Sequence, residues 1–306
     1  PNEVIKESGA EILRLWCTSS DYQEDMRCSP EILQRAQDAY RKMRNTARFA
    51  LGNLDGFDPA RDAVGEQEME EIDRWALAEL DAVAARAVAA YKAFEYHVVH
   101  HALYNFCTVT LSARYFDIIK DRLYTSAPKS RARRSAQTAL HRITDALARL
   151  LAPVLVFTAD EIWESLPRTG ADAGLQSVHL ALFPAAPVGE RDAALRAQWT
   201  QLFEVRDVVL RALEAARVSK LIGSSLEAHV RLKAKTRRDY ELLESRREQL
   251  RYLFIVSQVS LTFADEGAGA EGEPVEVEVV RADGEKCERC WNYSKRVGEF
   301  TRYPTV

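Results

Sequence analysis

Cysteine is scarce in this chain, and most of it shows no pairing pattern. Five cysteines are spread over 306 residues. Cys17, Cys28 and Cys107 sit in helical stretches without regular spacing. That excludes a secreted disulfide framework and fits a reducing, cytoplasmic setting. No apolar run approaches the length of a membrane span, and no signal-peptide pattern is read. A strong excess of one charge is also missing: the net charge is −4. The chain is therefore no uniformly basic nucleic-acid coat, and any such contact has to come from local basic surface. There is no Gly-rich phosphate loop, no nucleophile elbow and no paired-His motif with a general-base Glu. No internal repeat is visible. Hydrophobic residues at 47% exclude disorder of the whole chain.

The sharpest feature present is near the end. Cys287-Glu288-Arg289-Cys290 is a CxxC with Trp291 directly behind it. Two thiolates at that spacing form one knuckle of a zinc site, and a structural zinc takes four ligands. Redox CxxC pairs usually open a helix after a strand, whereas this one lies in a polar, charged stretch. The motif reads as half a metal site, with a second pair expected beyond Val306. The chain is thus expected to be a piece of a longer protein. An aromatic behind a knuckle suits stacking on an unpaired base, and equally suits packing over the knuckle.

The first two thirds read as helices. Ser29-Pro30-Glu31 is a start signal: a hydroxyl cap, proline at the first helical position, then an acid facing the helix dipole. Ile32, Ala36, Tyr40, Met43, Ala47 and Ala50 follow at helical spacing. A second run carries Met69 to Tyr91, and a third covers Tyr96 to Leu123. The third is apolar on most sides and is expected at the centre of a bundle. Lys129 to Leu151 gives a fourth, with Leu140, Ile143, Leu147 and Leu151 on one face, and Pro153 breaks it. Thr158-Ala159-Asp160-Glu161 resembles a capping box opening a fifth helix to Leu166.

Residues 167–190 read as a Pro/Gly-containing linker, followed by a helix over 191–217. Ala228 to Leu232 alternates like a strand, Asp239 to Gln249 is helical, and Leu253 to Val256 with Val259 to Phe263 is strand-like. Glu266 to Glu273 is a Gly/Ala/Glu loop, and Val275 to Val279 alternates as a strand. The fold class read from this is mainly α: a helical bundle, a small α+β module, then a truncated zinc knuckle.

Basic residues cluster in three runs. Arg41, Lys42, Arg44 and Arg48 lie on the Ser29 helix; Lys129, Arg131, Arg133 and Arg134 begin another. Arg231, Lys233, Lys235, Arg237 and Arg238 follow a strand. Each run alone reads as a solvated face; three in a mildly acidic chain point to local phosphate contact. His97, His100 and His101 share a helix face but have no Cys or carboxylate placed to complete a metal shell, so they read as packed helix residues.

Several stretches together resemble the class I aminoacyl-tRNA synthetases of the Ile/Val/Leu group. Residues 9–16, GAEILRLW, are similar to the segment after the KMSKS loop of that family. Residues 40–49, YRKMRNTARF, resemble the helix that opens its anticodon-binding domain. Asp73-Arg74-Trp75 and residues 157–163, FTADEIW, resemble later helices of that domain. Residues 115–124, YFDIIKDRLY, and the terminal CERCW favour the bacterial isoleucyl branch over valyl and leucyl relatives. Leu213-Glu214 and residues 222–228, IGSSLEA, resemble its C-terminal junction module.

The resemblance implies a fold, a partition and a partner. It implies residues 1–25 as a stem-contact segment, 26–185 as a class I synthetase anticodon-binding helical bundle, 190–284 as an α+β junction module, and 285–306 as a truncated zinc knuckle. It implies a parent enzyme that joins isoleucine to tRNA-Ile with ATP and Mg in a catalytic domain absent here. It implies a cytoplasmic monomer with tRNA-Ile as partner, without DNA or membrane. Arg27 occupies the place of an Arg that lies by the anticodon loop in the family, and Trp291 that of the aromatic after the knuckle. Arg41, Lys42, Arg44 and Arg48 are weaker candidates for RNA contact, some of them expected in salt bridges instead. Zinc belongs to the parent; Cys287 and Cys290 form a half site only. The last fifteen or so residues are expected to be poorly anchored, with Trp291 out of its working position. A valyl- or leucyl-type synthetase, or a stand-alone helical RNA-binding module, is the alternative.

Overall fold

The computed structural model describes residues 1–185, 192–264, 273–299 and 301–306. The chain divides into two units: 1–117 with 126–193, and 118–125 with 194–306.

The first unit is helical. It opens with α1 (Asn2–Ser8), α2 (Ala10–Ser19) and α3 (Pro30–Gly52). The start of α3 is built as its sequence predicts: Ser29 Oγ accepts the Ile32 N–H at 3.3 Å, behind Pro30. The apolar stripe of α3 buries Ala36, Met43, Ala47 and Ala50. Next come α4 (Glu71–Lys92) and α5 (Tyr96–Asn105), which runs into a π-helical stretch over Phe106–Phe116. Ser112 Oγ donates to the Cys107 carbonyl five residues back at 2.8 Å, filling the wider π turn. After α6 (Asp117–Thr125) the bundle resumes with α7 (Arg131–Leu151), on which Leu140, Ile143, Leu147 and Leu151 are all buried.

Asp73 is fully buried at the centre of this unit. It accepts hydrogen bonds from Tyr115 Oη at 2.7 Å and from Ser135 Oγ, and Ser135 in turn accepts the Glu70 N–H at 2.8 Å. The network satisfies a carboxylate that would otherwise be costly to bury.

The fifth helix differs from its sequence reading. α8 (Val156–Ser165) begins before Thr158, so Thr158 is not its cap. Glu11 of α2 supplies the acceptor instead: Oε1 takes the N–H groups of Phe157 and Thr158, both at 2.9 Å, and Oε2 takes the Thr158 hydroxyl. A carboxylate at a helix start matches the free N–H groups and the dipole there. Arg14 holds the same corner, donating to the carbonyls of Val154 at 2.9 Å and Pro153 at 2.6 Å. The GAEILRLW segment therefore packs as part of the bundle. Of the predicted linker, residues 186–190 lie outside the described residues.

The second unit carries α9 (Ala193–Val218), β1 (Ala228–Ala234), α10 (Arg237–Glu244), α11 (Arg247–Phe254), β2 (Gln258–Phe263) and β3 (Val275–Arg281). β1 is central, parallel to β2 and antiparallel to β3. The alternation of β1 buries Ala228, Val230, Leu232 and Ala234. Two sequence readings are corrected here. The helix read over 239–249 is two helices, parted at Ser245-Arg246. Leu253-Phe254-Ile255-Val256 is not strand: Leu253 and Phe254 end α11, and Ile255 turns left-handed at φ 57°. Leu250, Leu253 and Phe254 are all buried, at helical spacing. A short apolar run cannot be assigned to strand or buried helix by periodicity alone. The predicted Gly/Ala/Glu loop lies, apart from Glu273, outside the described residues.

The unit ends on a small hairpin, β4 (Glu285–Lys286) with β5 (Tyr293–Ser294), that carries the knuckle between its strands. Gly284 enters it at φ 91°, where a Cβ would fall 2.3 Å from the Ser294 carbonyl carbon. Only glycine fits that approach. Among the described residues, no helix is long and apolar enough to cross a membrane.

Candidate nucleic-acid interface

The four cations of α3 share a solvent-facing surface, yet the fold treats them differently. Arg44 grips Glu161 of α8 with two parallel hydrogen bonds, 2.6 and 3.0 Å. That pairing holds the Glu161 carboxyl below its ordinary range, mainly by the hydrogen bond from Arg44, and raises the Arg44 guanidinium further. Arg41 pairs with Asp38 one turn back at 3.2 Å. Lys42 Nζ donates to Tyr104 Oη at 3.1 Å. Arg48 is exposed, with no ion pair or hydrogen bond to its guanidinium among the described residues. Of the four, it offers the most accessible charge to a phosphate.

Arg27 is exposed in the turn before α3. Its backbone is pinned by Trp16, whose Nε1 donates to the Arg27 carbonyl at 3.1 Å. Its side chain makes no such contact among the described residues and is presented from a fixed point.

In the other basic runs five cations meet carboxylates of the protein. Arg134 meets Asp62 at 3.2 Å and Arg131 meets Glu70 at 3.8 Å. On the open face of the sheet, Arg231 pairs across strands with Glu278 at 3.2 Å and Lys233 with Glu276 at 4.0 Å. Those residues line a shallow cleft of about 400 Å³ with alternating charge. Arg237 pairs with Glu241 at 2.8 Å. The three histidines are helix residues: His100 stacks on Tyr104 with ring centroids 6.0 Å apart and stands edge-on to His101. Burial, then the neighbouring His101, lowers the His100 pKa to about 4.

At the knuckle, Cys287 is buried and Cys290 half-buried. Burial pushes the Cys287 thiol up, but the amides of Cys290 and Arg289 and the Cys290 thiol outweigh it, and the net shift is downward. The loop is shaped to favour a thiolate there. Among the described residues, no group of three or more His, Cys, Asp or Glu could hold a metal. The pair supplies half of the donor set a structural zinc takes and does not complete it.

Trp291 is 61% exposed, the most exposed tryptophan of the chain. Its backbone is left-handed at φ 63°, an unusual conformation for a bulky residue, and its N–H closes the turn onto the Cys287 carbonyl at 2.8 Å. Lys286 Nζ lies 5.1 Å from the ring centroid. The knuckle is tied at its base and tip by hydrogen bonds, of which one, at Tyr293, falls within the stretch expected to be poorly anchored. Tyr293 N–H donates to Ser257 Oγ at 2.7 Å, Gln258 Nε2 to the Asp283 carbonyl at 2.8 Å, and Arg289 Nη2 to the Thr125 carbonyl at 2.8 Å. Lys286 and Arg289 were not singled out by the sequence. Their place beside and within the CxxC was the available signal.

A family model described as the anticodon-binding domain of tRNA ligase matches residues 73–232. A second, described as a zinc finger found in FPG and IleRS, matches residues 284–306. Among curated proteins, the chain is 52% identical to the isoleucine–tRNA ligase of Syntrophotalea carbinolica, over 100% of this chain and 33% of the relative. It is 48% identical to that of Symbiobacterium thermophilum, with the same shares covered. For that of Geobacter sulfurreducens the identity is 46%, again over 100% of the chain and 33% of the relative. The chain spans about a third of the length of the curated relatives it matches.

Proposed function

The chain belongs to the anticodon-binding-domain family of tRNA ligases, and on that premise we propose that it is the tRNA-reading part of an isoleucine–tRNA ligase. The observation that carries this is similarity along the whole chain to ligases of that name, ending in a knuckle that turns Trp291 outward. The parent would attach isoleucine to tRNA-Ile with ATP and Mg. Those steps belong to the two thirds of the relatives that this chain does not span, and the chain alone is inactive in aminoacylation.

Each of the two units carries side chains suited to RNA. Sequence-specific RNA recognition takes unstacked bases onto aromatic faces and base-edge hydrogen bonds, with cations on the backbone. Trp291 supplies an aromatic face, Arg27 a planar fork of donors, and Arg48 a free charge. Arg41 and Lys42 can add weaker contacts, while Arg44 serves the bundle. The partition into residues 1–25, 26–185, 190–284 and 285–306 is proposed with this reading, as is a monomer acting in the cytoplasm without DNA or membrane. Zinc is proposed for the parent, with Cys287 and Cys290 as two of its ligands.

Equilibrium binding of the chain to tRNA-Ile, tRNA-Val and tRNA-Met at one stated salt concentration tests the reading. Preference for tRNA-Ile supports it. Arg27→Ala then removes that preference, costing about 1–3 kcal/mol on tRNA-Ile alone if it reads a base edge. Equal affinity for all three tRNAs would leave only charge attraction and overturn the assignment.

A further inference from the structure

We propose that Arg289 is a positioning residue: it aims Trp291 by locking the tip of the knuckle onto the C-terminal end of α6. The proposal rests on the reading of Trp291 as a base-stacking platform.

The hydrogen bonds of the knuckle fall into two sets. One set shapes the loop from within: Cys287 N–H to the Asn292 carbonyl at 2.9 Å, Trp291 N–H to the Cys287 carbonyl at 2.8 Å, and Asn292 Nδ2 to the Cys290 carbonyl at 3.3 Å. These give the loop a form but tie it to nothing else. The other set attaches it. At the base of the hairpin, Tyr293 N–H reaches Ser257 and Gln258 reaches the Asp283 carbonyl. At the tip, Glu288 N–H meets the Thr305 carbonyl at 2.9 Å, a contact with the chain end. The tie from the tip to a regular element is Arg289, whose Nη2 donates to the Thr125 carbonyl at 2.8 Å across 164 residues of sequence.

Thr125 is the last residue of α6. The final carbonyls of a helix have no partner within it and carry the negative end of its dipole. A guanidinium is well matched to that place. Thr125 Oγ1 donates back to the Asp121 carbonyl at 2.8 Å, which completes the last turn and fixes the acceptor. Arg289 stands two residues before Trp291, whose left-handed backbone is strained. Strain of that kind persists only where the surroundings hold it. Without the tip anchor the turn is free to relax, and the indole loses its fixed direction. The ring stays exposed in either case. What Arg289 supplies is orientation.

The test uses the chain grown with 5-fluorotryptophan. It contains five tryptophans, and Trp291→Phe assigns the resonance of Trp291. Arg289→Ala is expected to shift and broaden that resonance alone, and to weaken tRNA-Ile binding about tenfold, the effect of losing one stacked base. Its salt dependence is expected to stay unchanged. Arg289→Lys keeps a donor for the Thr125 carbonyl and is expected to return the resonance toward its original position. Combined with Trp291→Ala, Arg289→Ala is expected to add no further loss. An unmoved Trp291 resonance would overturn the proposal. So would an additive loss with a shallower salt slope, which would make Arg289 a direct phosphate contact. If the unmodified chain fails to bind tRNA-Ile, the functional reading falls, while the fluorine spectrum still decides whether Arg289 holds Trp291.

Discussion

The basic face of α3 and the tip of the knuckle are both candidate RNA contacts, and their side chains are in opposite states. On α3, Arg44 is clamped to Glu161, Arg41 to Asp38, and Lys42 rests on Tyr104. Half of that charge, on Arg41 and Arg44, is already answered by carboxylates of the protein. At the knuckle the backbone is tied down while the indole of Trp291 faces solvent. A run of cations in sequence is therefore not a run of free cations in the fold. A single aromatic on an anchored turn is the better candidate, because its ordering cost is met before a ligand arrives.

Trp291→Ala sharpens the contrast most. It is expected to weaken tRNA-Ile binding by about 1–3 kcal/mol and to leave the urea midpoint unchanged, since the ring packs against little. A fall in the midpoint with intact binding would make the ring a packing group.

The engaged face can be broken with acid. His100 stacks on Tyr104, which Lys42 touches, and its pKa in the fold is lowered to about 4. The unfolded chain then binds more protons than the folded one between that value and about 6.5. The contribution is complete above 6.5 and is lost as pH falls toward 4. Urea melts at pH 7.5 and 5.5 should differ by about 1 kcal/mol from this group, and His100→Gln should remove that share. An unchanged pH dependence in the variant would place the titration elsewhere.

Arg44→Ala is expected to cost about 0.5 kcal/mol of stability, as its partner Glu161 is largely exposed, and to change tRNA binding little. Because Arg44 lowers the Glu161 pKa, that stability is present above the ordinary carboxylate range and lost as pH falls through the folded value. Arg48→Ala is the smallest effect: a slight weakening on every tRNA, with the salt slope reduced by about one. If Arg44→Ala changes the slope and Arg48→Ala does not, the assignment of engaged and free cations is reversed.

What the sequence revealed was local. The Ser29-Pro30-Glu31 start of α3 and the buried face of α7 both depend on neighbours within one or two turns. So did the choice of Trp291, which follows from one short motif, whereas Arg27 was named only by the resemblance. What it missed came from far along the chain. Thr158 resembles a cap, but Glu11, 147 residues away, is the acceptor. Salt bridges were expected for some of the α3 cations, but that Arg44 pairs with Glu161, 117 residues on, is set by the fold. Arg289 finds a backbone carbonyl, which leaves no side-chain signature at all. Leu253 to Val256 failed for a different reason, since four apolar residues fit a strand and a buried helix end equally well.

Chemical footprinting of tRNA-Ile bound by the chain separates the knuckle from the face of α3. Protection of the anticodon loop is expected to be lost in Trp291→Ala and retained in Arg44→Ala. Protection that survives Trp291→Ala and disappears in Arg44→Ala would contradict that expectation.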